Sequence, residues 1–158
     1  MLSNTCKYGL RAMVYIAGNS QDGKKIGIKK ISSDLELPMP FLAKILQSLA
    51  KQKLLLSSKG PNGSFSISRN PKEIYLLEVV KAIDGEDVFS KCVLHNDNCR
   101  SIDENKVACA LHSDYVKQRK KIEKLFASKK IYSLVNTEKN SEEIMIKKNR
   151  NYAMYICP

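Results

Sequence analysis

The chain has 158 residues and is 43% hydrophobic, enough for one packed domain or one domain with an appendage, and this excludes a wholly disordered protein. Twenty-seven Lys and Arg against sixteen Asp and Glu give a net charge of +11, which points to a polyanionic partner, nucleic acid first. Apolar runs such as Leu54, Leu55 and Leu56 fall far short of a membrane-spanning helix, and the N-terminus has no signal-peptide pattern, so the cytoplasm is the expected compartment.

In chain order, residues 3–19 predict a helix in which Cys6, Leu10, Met13 and Ala17 form one apolar stripe. Lys7 and Arg11 lie one turn apart on another face, and Gly18, Asn19, Asp22 and Gly23 end the helix. Ile28, Ile31 and Leu35 outline a short second helix, interrupted at Pro38 and Pro40 because the residue before a proline is pushed out of the helical region. From Phe41 to about Gln52 a third helix sets Phe41, Leu42, Ile45, Leu46 and Leu49 opposite Lys44, Gln47, Ser48 and Lys51. Two short helices with a tight break outline a helix-turn-helix. "LLLSSKGPNGSFSIS" then reads as strand, turn and alternating strand, a two-stranded hairpin or wing. Residues 74–83 form a fourth apolar helix, ended by Asp84 and Gly85.

A polar loop with three cysteines and both histidines follows. From about residue 110 to 130 a long helix carries Leu111, Tyr115, Gln118, Ile122 and Leu125 on a four-three-four-three seam, with Lys117, Arg119, Lys120, Lys121 and Lys124 on the other faces. Such a seam on a charged helix needs a partner, and a second copy of the chain is the commonest. "IYSLVN" is a short apolar helix behind it. The expected fold is mainly α with a small β-hairpin wing. Its divisions are a winged helix-turn-helix (1–84), a cysteine-rich loop (85–110), a dimerisation helix with a short following helix (111–137), and a tail (138–158).

In a winged helix the second helix of the motif enters the major groove, and the wing reaches phosphate or the minor groove. The candidates on the third helix are Pro38, Pro40, Phe41, Ala43, Lys44 and Gln47. Those on the wing are Lys59, Gly60, Pro61, Asn62 and Gly63. Lys7, Arg11, Lys29 and Lys30 are candidate phosphate contacts, which position a protein without reading sequence. The alternative is that these lysines form a solvated face. Charge distribution favours DNA: residues 1–83 carry thirteen basic and five acidic side chains, whereas 84–104 carry six acids against Lys91 and Arg100.

In the loop, Cys92 and Cys99 are separated by six residues, Cys99 and Cys109 by nine, and Cys109 and His112 by two. Structural zinc sites bring ligands in close pairs, and here only Cys109 and His112 are close. The wide spacing suits a larger object, an iron–sulfur cluster held by thiolates with a histidine, ahead of zinc or thiol redox chemistry. Five cysteines in a reducing compartment are not a disulfide framework. Cys6 reads as a buried apolar residue, Cys157 as a free thiol, and His95 as a lesser ligand candidate. Nothing matches a phosphate loop, nucleophile elbow or H-E-x-x-H, which leaves a metal-dependent enzyme as a distant alternative.

"KYGLRAMVYIA", "FLAKILQSLAKQKLL" leading into "SSKGPNGSF", "LLEVVKAIDG", the cysteine loop and "IYSLVN" together resemble the Rrf2 family of winged-helix repressors, the group of IscR, NsrR and CymR, over about residues 1–137. The resemblance implies a homodimer formed by the long helix and bound to a double-stranded, pseudo-palindromic operator. It also implies a 2Fe–2S cluster, or a 4Fe–4S cluster, that senses iron–sulfur status, nitric oxide or redox state. Cys92, Cys99 and Cys109 would be ligands, with His112 completing the site as in IscR. No membrane and no small-molecule substrate are expected. Three departures stand out. The nine-residue gap is longer than the family's usual one, Lys7 stands where the nitric-oxide-sensing branch has an acidic ligand, and Ala43 stands where IscR has an acidic residue linked to promoter choice. A fourth ligand from the first helix, such as Cys6, is the second choice. The cysteine-metabolism repressors of the family lack a cluster, a reading the three cysteines oppose.

Overall fold

Ser3 begins the first helix, its hydroxyl accepting the Cys6 backbone N–H at 3.0 Å, and so capping an otherwise unpaired amide. The computed structural model describes residues 2–20, 23–58, 60, 63–92 and 111–140. Helix α1 (Asn4–Asn19) lies at the centre of the fold, with α3 (Met39–Lys51), α4 (Leu76–Asp84) and α6 (Ile131–Asn140) packed around it. That explains why Val14, Tyr15 and Ile16 are buried in addition to Cys6 and Met13 of the predicted stripe, while Leu10 and Ala17 are only partly covered. Gly9 permits the approach of α4: a Cβ there would lie 2.1 Å from Cδ1 of Ile83.

Helix α2 (Ile28–Leu35) ends at Glu36, which takes the left-handed conformation at φ 53° and donates its N–H to the Ser32 and Ser33 carbonyls. Leu37 N–H bonds back to Ser32 at 3.0 Å, and the chain turns into α3. Helix α3 starts at Met39, two residues before the predicted start. Pro40 fits the first turn because a proline there removes no intrahelical hydrogen bond.

The wing is a hairpin of β2 (Leu55–Ser58) and β3 (Ser64–Ile67), as expected, with a strand the sequence did not disclose. Strand β1 (Ile26–Gly27) adds to β3, giving an antiparallel sheet of order β1-β3-β2, with Ile26 opposite Phe65 and Leu55 opposite Ile67. After α4 the chain takes a 3-10 turn, Glu86–Phe89. Helix α5 (His112–Ser128) then runs back to the start of α4. Leu76 N–H bonds to the Lys129 carbonyl and Ile131 N–H to the Ile74 carbonyl, each at 2.9 Å. Helix α6 passes the expected limit at 137, and its Ile131 and Val135 lie in the same core as Met13, Ile16, Leu46 and Leu49. Among the described residues no helix is long and apolar enough to cross a membrane.

Candidate functional site

Two regions hold the residues singled out above. On α3, Leu42, Ile45, Leu46 and Leu49 are buried, which turns Pro40, Phe41, Lys44 and Gln47 outward and leaves Ala43 half-buried. Met39 and Phe41 are large, exposed apolar residues at the start of this helix. The Phe41 ring meets the edge of Tyr8 on α1 at 5.7 Å between centroids, so the tip of α3 is braced rather than loose.

The wing is fixed at its inner end. Ile28, the first residue of α2, donates its N–H to the Gly63 carbonyl at 3.0 Å, and Gly63 N–H bonds to Gly60 at 3.1 Å. Gly63 has φ +23°, and a Cβ on Gly60 would meet open space. Lys25 donates to Ser58 Oγ across the sheet. The wing residues Lys59, Pro61 and Asn62 lie outside the described residues.

Of the candidate phosphate contacts, Lys7 and Lys29 are exposed, and Lys7 Nζ donates to Asn4 at 3.4 Å. Lys30 pairs with Asp34 at 3.1 Å. Asp34 also accepts from the buried Tyr15 hydroxyl, and that bond, then Lys30, holds its carboxyl below the usual carboxylate range. Burial, then Asp34, pushes the Tyr15 phenol upward. Arg11 is half-buried: its guanidinium lies 5.9 Å from the Tyr8 ring centre and donates to the Leu35 carbonyl at 3.4 Å.

In the second region, the chain leaves α4 through Gly85, at φ 80°, and reaches the half-buried Cys92. Residues 93–110 follow, and so His95, Cys99 and Cys109 lie outside the described residues, as does Cys157. His112 is the first residue of α5, and its Nδ1 is buried without a hydrogen-bond partner among the described residues. A buried imidazole nitrogen in that condition is suited to a metal. Among the described residues no cluster of three or more His, Cys, Asp or Glu could hold one. Cys6 is fully buried, and burial, reinforced by Asp84, pushes its thiol up to about 12, which disfavours the thiolate a metal ligand needs. Asp84 is itself tied to Ser3, accepting its backbone N–H at 2.8 Å and its hydroxyl.

Along α5 the predicted seam is largely open. Leu111, Ile122 and Leu125 are 45%, 45% and 52% exposed, Gln118 is exposed, and Tyr115 is half-buried beside Arg119. An open apolar cleft of about 330 Å³ adjoins the seam, lined by Leu76, Leu125, Phe126 and Leu134 with Lys129 and Ser133. A neighbouring face of the helix turns inward. Arg119 Nη1 donates to the Ser90 and Lys91 carbonyls, each at 2.9 Å, and Phe126 packs on Phe89 at 6.4 Å. Sequence reading put Arg119 among the charges on the other faces of the helix; only its place one turn from Tyr115 and two from Phe126 hinted at an inward role.

Comparison with known proteins adds a lineage to this geometry. The profile of the Rrf2 family, described as iron-dependent transcriptional regulators, matches residues 2–137. A protein of Aquifex aeolicus assigned to the HTH-type transcriptional regulators is 28% identical over 138 residues, 87% of this chain and 93% of its own. IscR of Photorhabdus laumondii is 25% identical over 137 residues, 87% of this chain and 80% of its own. Among solved structures, the global cysteine regulator CymR of B. subtilis superposes with a TM-score of 0.70 at 18% identity, over 87% of this chain and 97% of CymR, a likeness of fold.

Proposed function

The chain belongs to the Rrf2 family of transcriptional regulators, and from that premise we propose that it is an operator-binding repressor controlled by an iron–sulfur cluster. It works in the cytoplasm as a homodimer on double-stranded DNA, with α3 in the major groove, the wing on the backbone, and α5 paired with its counterpart. Two half-sites would then lie one DNA turn apart, roughly 34–36 Å. The observation that carries the cluster reading is the buried Nδ1 of His112 at the head of α5, lacking a partner among the described residues. Three thiols, Cys92, Cys99 and Cys109, with that imidazole fit a cluster, 2Fe–2S first and 4Fe–4S second. When bound, the cluster supplies a centre whose charge and occupancy follow redox state, nitric oxide or iron supply. The protein's own part is to hold the imidazole at the end of α5, so that gain or loss of a ligand bond is felt along the helix.

Anaerobic purification followed by iron, sulfide and zinc analysis with a visible spectrum tests this. Expected are near-equal iron and sulfide per chain for a 2Fe–2S centre and visible absorbance that Cys109→Ala abolishes and His112→Ala shifts. One zinc per chain without sulfide would replace the cluster by a zinc-stabilised regulator. Neither metal, with DNA affinity set by thiol oxidation, would replace it by a thiol switch.

A further inference from the structure

Arg119 joins the two halves of the proposed sensor. One nitrogen of its guanidinium donates to two consecutive carbonyls, those of Ser90 and Lys91, at 2.9 Å each. The Lys91 carbonyl belongs to the planar peptide whose nitrogen is that of Cys92, so fixing this oxygen fixes the plane from which the Cys92 side chain departs. Ser90 and Lys91 also donate their N–H groups to the Asp87 carbonyl, each at 2.9 Å, which closes the segment before Cys92 into a turn. Two turns further along α5, Phe126 packs on Phe89 of the same turn. An aromatic contact of this kind tolerates sliding, whereas charge-assisted bonds from one guanidinium to two carbonyls are directional. Arg119 also lies two turns beyond His112 on the same helix.

We propose that Arg119 is a positioning residue that locks the Cys92 segment to α5, so that a change in what Cys92 binds is transmitted to the long helix and thence to the DNA-binding halves. The inference rests on the cluster reading above and deepens it by naming the joint. A residue that merely stabilised the fold would weaken DNA binding equally with and without cluster; a coupling residue changes the ratio of the two affinities.

The test uses the full-length protein, anaerobically loaded with cluster or freed of it, and fluorescence anisotropy with operator DNA. The wild type is expected to show affinities differing about 5–150-fold between the two forms, the usual span of coupling between sites. Arg119→Met, which keeps the aliphatic stem and removes the donors, is expected to load the wild-type complement of iron and sulfide while that ratio falls to about threefold or less. Arg119→Lys is expected to restore part of it. An unchanged ratio in Arg119→Met overturns the inference and leaves the cluster reading intact. A wild type that binds no cluster overturns that reading and the inference with it. A second measurement does not depend on the Met variant folding: tryptic cleavage after Lys91, followed by mass spectrometry, is expected to be faster in Arg119→Gln than in the wild type. Equal rates would show that the carbonyl is not held.

Discussion

At the scale of single residues, Cys6 and Arg11 turn out to be internal fittings. The Cys6 thiol, with an ordinary value of 9.0, is pushed up to about 12, first by burial and then by Asp84. Its neutral form is what the fold favours. The contribution to stability is therefore complete below pH 9 and is lost as pH rises from 9 towards 12, where the unfolded thiol ionises and the folded one does not. Urea unfolding of the wild type and Cys6→Ala at pH 8 and pH 10.5 should separate this effect from the background. The wild-type advantage should shrink with a slope approaching about 1.4 kcal/mol per pH unit. A difference that stays flat would mean that the thiol is not shielded. The sequence disclosed the burial of Cys6, since it falls on the apolar stripe of α1. It did not disclose the commitment of Arg11, because helical spacing assigns a face but not what folds over that face. Tyr8 is a neighbour one turn back on α1, but the Leu35 carbonyl reaches Arg11 only once α2 has docked.

At the scale of elements, the segments with a periodic pattern were legible and the two-residue strand β1 was not. Helices α1, α3 and α5 announce themselves by apolar spacing, but β1 is two residues long and exists because β3 offers it an edge. The start of α3 was hidden for a different reason: Pro38 and Pro40 both signal a break, yet Pro40 occupies a first-turn position that tolerates it. The cysteine loop has no periodicity, so the sequence could present ligand types without their arrangement. Under the proposed function, two residues that both stand exposed, Gln47 and Lys29, would have different tasks on DNA. Gln47 projects from α3 beyond the buried Leu46 and matches the pairing of a side-chain amide with adenine, whereas Lys29 stands exposed at the start of α2. Gln47→Ala is therefore expected to cost about 1–3 kcal/mol on the cognate operator and to relax preference at one base pair. Lys29→Ala should weaken all sequences alike and reduce the salt slope of log affinity by about 1. Binding titrations against single-base operator variants at two or more salt concentrations distinguish the two. If Gln47→Ala instead behaved like the lysine variant, α3 would be lying on the backbone rather than reading bases.

For the whole molecule, the deciding contrast is between α6 and α5. Helix α6 seals the core with Ile131 and Val135, whereas among the described residues none of α5 belongs to the buried core. Yet α5 is the longest described helix and exposes Leu111, Ile122 and Leu125 along one stripe, continuous with the apolar cleft formed by Leu76, Phe126 and Leu134. An apolar stripe left exposed on an element that adds nothing to the described core of one chain is what supports the proposed pairing of α5 with a second copy. The charges on α5 are consistent with this, because the lysines at 117, 120, 121 and 124 lie off the stripe. Ile122→Glu combined with Leu125→Glu places charges at the middle of the stripe without touching the core. The expected product is a monomer by sedimentation, with the helical content of the wild type. Its affinity for a two-half-site operator should fall roughly 10²–10⁴-fold, since the second half-site is then bound without the effective concentration that a linked partner provides. Affinity for an isolated half-site should hardly change, because α3 and the wing are untouched. A double variant that remains a dimer would locate the interface elsewhere. A monomer that binds the full operator as tightly as the wild type would mean that pairing along α5 is not what the operator measures.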